Sequence, residues 1–108
     1  NHEEANKWFM LAAEQNNSDA LYAMAKAYYN GLGVEKDVPK STELWKKSAE
    51  LGHWGAQYIT GMNYEEGDGI EKNFDEAVKW YTLAAEQKHP DACYRLAEIY
   101  RLGENGVA

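Results

Sequence analysis

An all-α solenoid of three stacked helix pairs is the fold that this sequence predicts, on three observations. The chain repeats itself every 36 residues without a gap. Ala13, Ala49 and Ala85 fall in register, as do Ala20, Ala56 and Ala92; Tyr22, Tyr58 and Tyr94; Tyr28, Tyr64 and Tyr100; and Gly31, Gly67 and Gly103. A fixed period between about 20 and 50 residues marks stacked supersecondary units, none of which buries its apolar face alone. Within each copy, apolar residues recur at helical spacing, and no stretch carries a convincing two-residue strand alternation. Glycine, proline and cap-forming residues punctuate each copy at corresponding places. The repeat units span about 5–40, 41–76 and 77–108, within a single domain covering 1–108. The chain opens on Asn1 in mid-repeat, so it is expected to be a fragment of a longer protein.

The first helix of each copy is predicted over about 3–15, 40–51 and 74–87. In the opening copy Trp8, Phe9, Leu11, Ala12 and Ala13 share one side of it. Asp37 is placed to cap the second of these helices, with Pro39 in its first turn, where a missing N–H costs nothing. Asn73 followed by Glu76 gives the third a capping-box signal. The second helix of each copy is predicted over about 19–30, 55–66 and 91–102, with Ser18 as the candidate cap of the first and Pro90 in the first turn of the last. Turns of about three residues join the helices of a pair, which makes them antiparallel. The longer links begin Gly31-Leu32-Gly33-Val34 and Gly67-Asp68-Gly69-Ile70; in the third copy, Gly103-Glu104-Asn105-Gly106-Val107 is one residue longer. Ala13, Ala49 and Ala85 are expected to meet Ala20, Ala56 and Ala92 across the tight turns. Phe9, Trp45 and Tyr81, with Tyr28, Tyr64 and Tyr100, are expected to fill the space between layers.

The formal charge of -7 and pI near 4.9 argue against nucleic acid as a partner, because phosphate backbones are held by clustered Lys and Arg. No apolar stretch approaches the roughly 20 residues of a membrane-spanning helix, so direct membrane insertion is not expected. Catalytic and metal chemistry is hard to find. The chain carries no H-E-x-x-H, no G-x-S-x-G and no phosphate-binding glycine loop, and its glycine pairs follow helices, the wrong end for an anion. His53 and His89 share a repeat position, but stacked helices stand roughly 10 Å apart, too far for two imidazoles to ligate one zinc ion. They read as structural or solvent-facing. The acidic run Glu65-Glu66-Gly67-Asp68-Gly69-Ile70-Glu71 lacks the ligand spacing of a calcium loop and reads as a charged helix end. No cofactor, metal or catalytic residue is expected, and the chain is not read as an enzyme.

These residues together resemble the Sel-one-like repeat (SLR), a relative of the tetratricopeptide repeat. Ala77, Trp80, Tyr81, Ala84, Ala85, Glu86 and Gln87 match the first half of its pattern, and Ala56, Gln57, Tyr58, Gly61, Tyr64, Gly67, Gly69 and Ile70 match the second. The resemblance covers essentially the whole chain and implies a right-handed α/α superhelix acting as an adaptor or scaffold. A cysteine-rich subgroup pairs two Cys eight residues apart. Cys93 holds the second place but Ala85 holds the first, so this chain is similar to the disulfide-free branch, and Cys93 is expected to be a small buried residue.

If the tetratricopeptide likeness extends to the groove, the second helix of each pair lines a concave face. There Tyr22, Lys26, Tyr58, Met62, Tyr94, Glu98 and Arg101 are the candidate partner-binding residues, combining aromatic anchors with both signs of charge. The three tyrosines have a second reading as packing residues that glue successive repeats. The expected function is a protein–protein interaction module that holds a peptide or partner domain. The alternatives are a structural spacer within a larger chain and, furthest from the residues, a cell-wall-related enzyme domain.

Overall fold

The computed structural model describes residues 1–103, and among these the chain forms six helices and no strand. They are α1 (His2–Ala13), α2 (Ser18–Asn30), α3 (Val38–Glu50), α4 (Trp54–Glu66), α5 (Phe74–Glu86) and α6 (Pro90–Leu102). The third glycine loop lies largely outside the described residues, as does Val107. The helices stack in sequence order into an elongated body of 47 × 24 × 19 Å. In it α2 packs against both α1 and α3, and α4 against both α3 and α5. Of the second helices, α2 and α4 are thus each wedged between the first helix of their own copy and that of the next.

Every helix begins on a side-chain cap. Asn1, Asn17, Asp37 and Asn73 accept backbone N–H bonds for α1, α2, α3 and α5. Asn17 therefore caps α2, while Ser18 is the first helical residue and its carbonyl accepts instead from the Ser48 hydroxyl at 2.7 Å. His53 and His89 cap α4 and α6 through Nδ1, at 3.1 Å from the Ala56 amide and 3.2 Å from the Asp91 amide. That is the structural role of the repeated histidine position. The helices α2, α4 and α6 all stop at a left-handed glycine, with φ of 68°, 72° and 65° at Gly31, Gly67 and Gly103. Beyond it, the loop is latched onto the preceding first helix by equivalent bonds from unlike residues. Asn6 Nδ2 donates to the Leu32 carbonyl at 2.8 Å, and Thr42 Oγ1 donates to the Asp68 carbonyl at 3.0 Å.

Small residues meet large ones where the layers close. Ala20, Ala49, Ala56 and Ala92 are buried, with Ala13 and Ala85 half-buried beside them. Trp45, Tyr64 and Tyr81 fill the core as expected, but Phe9 (38% exposed) and Tyr100 (49%) do not, because among the described residues α1 packs mainly on α2 and α6 mainly on α5. The same cause exposes Trp8, Met10, Leu11 and Leu102. Cys93 is also exposed, contrary to the expectation from its small size. It occupies the α6 position that corresponds to Gln57 in α4, with Sγ 3.7 Å from the Ala85 carbonyl. Gln57, buried, donates from Nε2 to the matching Ala49 carbonyl at 3.3 Å.

Two consequences can be measured. A Cβ added to Gly61 would fall 2.7 Å from Cδ1 of Tyr81, whose ring is only 1% exposed and has no room to yield. Gly61→Ala should therefore lower stability by about 1–2 kcal/mol despite the better helix propensity of alanine, read as a lower urea midpoint. A raised midpoint would show that the ring moves aside. Ala85→Cys should form a disulfide with Cys93 on oxidation, closing the eight-residue separation between them. Its stabilisation should be about 2–3 kcal/mol and vanish on reduction. Free thiols persisting under oxidant would show that the two Cβ atoms diverge.

Candidate partner-binding surface

The seven candidate residues lie on equivalent helices: Tyr22 and Lys26 on α2, Tyr58 and Met62 on α4, and Tyr94, Glu98 and Arg101 on α6. Their surroundings differ. Tyr94 is 68% exposed, and Lys26 and Arg101 are exposed as well. Met62 is half-buried and packs on the hydrophobic core. Tyr22 and Tyr58 are half-buried because each ring packs against the histidine that caps the next second helix, stacked in the first case and tilted in the second. Tyr22 lies 4.5 Å from His53 with the planes 12° apart, and Tyr58 lies 4.7 Å from His89. Tyr58 also leans on Tyr81 at 5.6 Å. Burial raises the Tyr58 hydroxyl above its ordinary range, and the Asp91 carboxylate adds to the effect. The tyrosine row therefore joins repeats through its rings while Tyr94, at the last position, stands open.

The main polar link on these helices joins α4 to α6 through Glu65 and Arg95. The Glu65 carboxylate on α4 accepts a 2.6 Å bond from the Tyr81 hydroxyl and is ion-paired with Arg95 on α6, which also faces Glu98 at 3.6 Å. Burial pushes the Glu65 carboxyl up, but the hydrogen bonds from Arg95 and Tyr81 together outweigh it and hold the group below the usual carboxylate range. The Tyr81 hydroxyl moves the opposite way, far up, through burial and its bond to Glu65. Glu98 is thus tied to an α4–α6 brace rather than presented alone. Tyr29 makes a lesser brace, donating to Asp68 at 3.0 Å.

Hollows on the surface fall mostly elsewhere. An open trough of about 470 Å³ runs along α1 between Lys7, Met10, Leu11 and Val34, and a smaller cleft of about 200 Å³ between α1 and α2 includes Lys26. Among the described residues no three His, Cys, Asp or Glu side chains converge as metal ligands, and no helix is long and apolar enough to cross a membrane.

The model of the Sel1 repeat matches residues 1–17, 18–53, 54–89 and 90–108, which together make up the whole chain. The chain belongs to the Sel1 repeat family. Among solved structures it is similar to a Sel1 repeat protein from Oxalobacter formigenes, at 39% identity and a TM-score of 0.88 over 94% of this chain and 41% of that one. A protective antigen of uropathogenic Escherichia coli with an SLR fold is 32% identical, with a TM-score of 0.88 over 94% of this chain and 22% of its own. Helicobacter pylori cysteine rich protein B is 28% identical, with a TM-score of 0.85 over 89% of this chain and 72% of its own. The Sel1 chain thus spans well under half the length of the first two. No curated protein matches it in sequence. Sel1 repeats form helical solenoids commonly used for protein–protein interaction, and the repeat itself is generally a non-catalytic scaffold.

The Glu65 brace makes a prediction about pH. A carboxyl held below its unfolded value stabilises the fold above that value, and the contribution is lost as pH falls through the lower, folded one. Glu65→Gln should be less stable than the parent at neutral pH, and the gap in Tm should close as pH falls below the ordinary Glu value of about 4.3. A gap that stays constant down to the acid transition would mean that the carboxylate is not what holds Arg95 and Tyr81.

Proposed function

We propose that this Sel1 repeat domain is an adaptor module that holds a peptide or a partner domain against the face formed by α2, α4 and α6. The observation that carries this reading is the ring that recurs at one position of α2, α4 and α6, as Tyr22, Tyr58 and Tyr94. It is flanked on α6 by Glu98 and Arg101, and the face continues through Met62 and Lys26. A large aromatic ring with charge of both signs around it supplies desolvation energy at its centre and register at its rim. A long, shallow helical face suits an extended or helical ligand.

The test uses peptides selected from a random library for binding to the wild-type chain. Replacing Lys26, Met62 and Arg101 together with alanine should weaken binding by more than about 1 kcal/mol, with little change in the melting curve. The comparison variant is Lys47→Glu, on the exposed side of α3. Lys46 is unsuitable for that purpose, since its ammonium lies 5.6 Å from the Tyr64 ring centroid. Normal binding by the triple variant, together with loss in Lys47→Glu, would move the interface to the first helices.

A further inference from the structure

The tight-turn edge of the solenoid carries a ring that the repeat pattern does not require. Trp54 stands where the other copies have Ser18 and Pro90, and it is 52% exposed. The first turn of a helix has no need of a large indole, and Leu51, 48% exposed, belongs to the same turn. Yet the indole is held in place. His89 meets it edge-on, with centroids 4.7 Å apart and planes at 77°, and His53 lies beside it at 6.2 Å. Both imidazoles are fixed in turn by their capping bonds to Ala56 and Asp91, and His53 Nε2 lies 3.2 Å from the Asp19 carboxylate. At Gly55 a Cβ would come 3.1 Å from the His53 ring, so the absence of a side chain there lets the row close up. The result is a rigid aromatic platform facing solvent, with little conformational entropy left to lose on binding.

Charge along the same edge has one sign. Glu14, Asp19, Glu50, Glu86 and Asp91 are all exposed, against Lys88 alone within the three turn segments 14–19, 50–55 and 86–91. Three of these carboxylates, Glu14, Glu50 and Glu86, sit at the C-terminal ends of α1, α3 and α5, where the helix dipole is already negative. That placement works against helix stability in every copy. It does, however, build a negative field beside the exposed indole, and indole is the best of the aromatic faces for a cation.

We propose that this edge is a docking surface for a basic peptide segment, with an Arg or Lys side chain over Trp54 and neighbouring cations paired to Asp19 and Asp91. Charge complementarity selects the occupant: a polyanion is repelled by the five carboxylates, and a neutral apolar segment gains nothing from their field. The surface is separate from the α2–α4–α6 face. It borders Tyr22 and Tyr58, whose rings pack on His53 and His89, but uses neither ring, so it stands whether or not that face binds a partner.

The experiment titrates a labelled oligoarginine peptide against the chain by fluorescence anisotropy at about 0.15 M salt, where long-range attraction is largely screened. The wild type should bind it, and Trp54→Ala should weaken binding about tenfold with an unchanged melting curve, the size of a partly desolvated cation–π contact. Should that variant lose stability, Asp19→Asn combined with Asp91→Asn gives a second reading and should weaken binding about fivefold. A matched charge removal away from the edge, Glu43→Gln with Glu71→Gln, should change affinity less than about twofold, and so should the Lys26, Met62 and Arg101 triple variant. The proposal is overturned if oligoarginine does not bind, if Trp54→Ala binds as well as the parent, or if the distant charge removal costs as much as the local one. Loss in the triple variant alone would place the peptide on the other face.

Discussion

The contact on which this structure depends is the one between a small residue on a second helix and the aromatic ring that the next repeat lays across it. At the junction of α4 and α5, Gly61 faces the buried ring of Tyr81, with no space for even one more carbon. At the preceding junction the corresponding residues are Ala25, fully buried, and Trp45, which Tyr29 meets at 5.4 Å. Close approach at this point sets the distance between successive repeats, and that distance in turn brings the rest into reach. Tyr58 reaches His89, Glu65 reaches both Tyr81 and Arg95, and Gln87 reaches back to the Gly52 carbonyl at 2.9 Å and to Gln57 at 2.8 Å. Solenoid stability is a sum of such nearest-neighbour terms. Each junction must therefore be closed locally, and no distant part of the chain can substitute for it.

Because the closure is local, unlike residues can serve at equivalent places. Asn6 and Thr42 both latch a loop carbonyl, and Gln57 and Cys93 both reach the carbonyl eight residues back. The helix α4 shows the tolerance most clearly. It buries Gln57, Thr60 and Asn63 along the side on which α2 buries Leu21, Met24 and Ala27. A polar stripe of this kind weakens the helical hydrophobic pattern, yet α4 has the same length and boundaries in its repeat as α2. The fixed alanines, tyrosines and glycines of the repeat settle the geometry, and the stripe then follows it.

That division explains what was legible in the sequence. The helix pairs, the glycine stops, Asp37 and Asn73 as caps and the small–large alternation all follow from residues that recur every 36 positions. Capping by His53 and His89 was less visible, because histidine is not among the usual cap residues, although their shared position was a signal. Ser18 and Asn17 compete as neighbours with equal propensity, and only backbone geometry separates them. The exposure of Cys93, Phe9 and Tyr100 could not be read from the pattern, since the pattern treats each copy as if both neighbours were present. The candidate face was legible as a set of helix positions, but not in its pairing. Glu98 belongs to the brace of Arg95, whose other partner Glu65 lies 30 residues back, and Tyr22 and Tyr58 pack on histidines about 30 residues further on.

The stacked histidines also decide how the two proposed surfaces relate. A ring that packs on both sides is a poor binding anchor, because little of it remains to be desolvated. Tyr22 and Tyr58 each give one ring face to a capping imidazole, which leaves less of each ring for a partner of the proposed α2–α4–α6 surface. The imidazoles, in turn, pass their rigidity outward to Trp54. The same contacts that close the tyrosine row on one side therefore hold an indole open on the other. A substitution at His53 or His89 would disturb helix capping, the tyrosine row and the Trp54 platform together, whereas one at Trp54 removes a single exposed ring and leaves the stack of repeats intact.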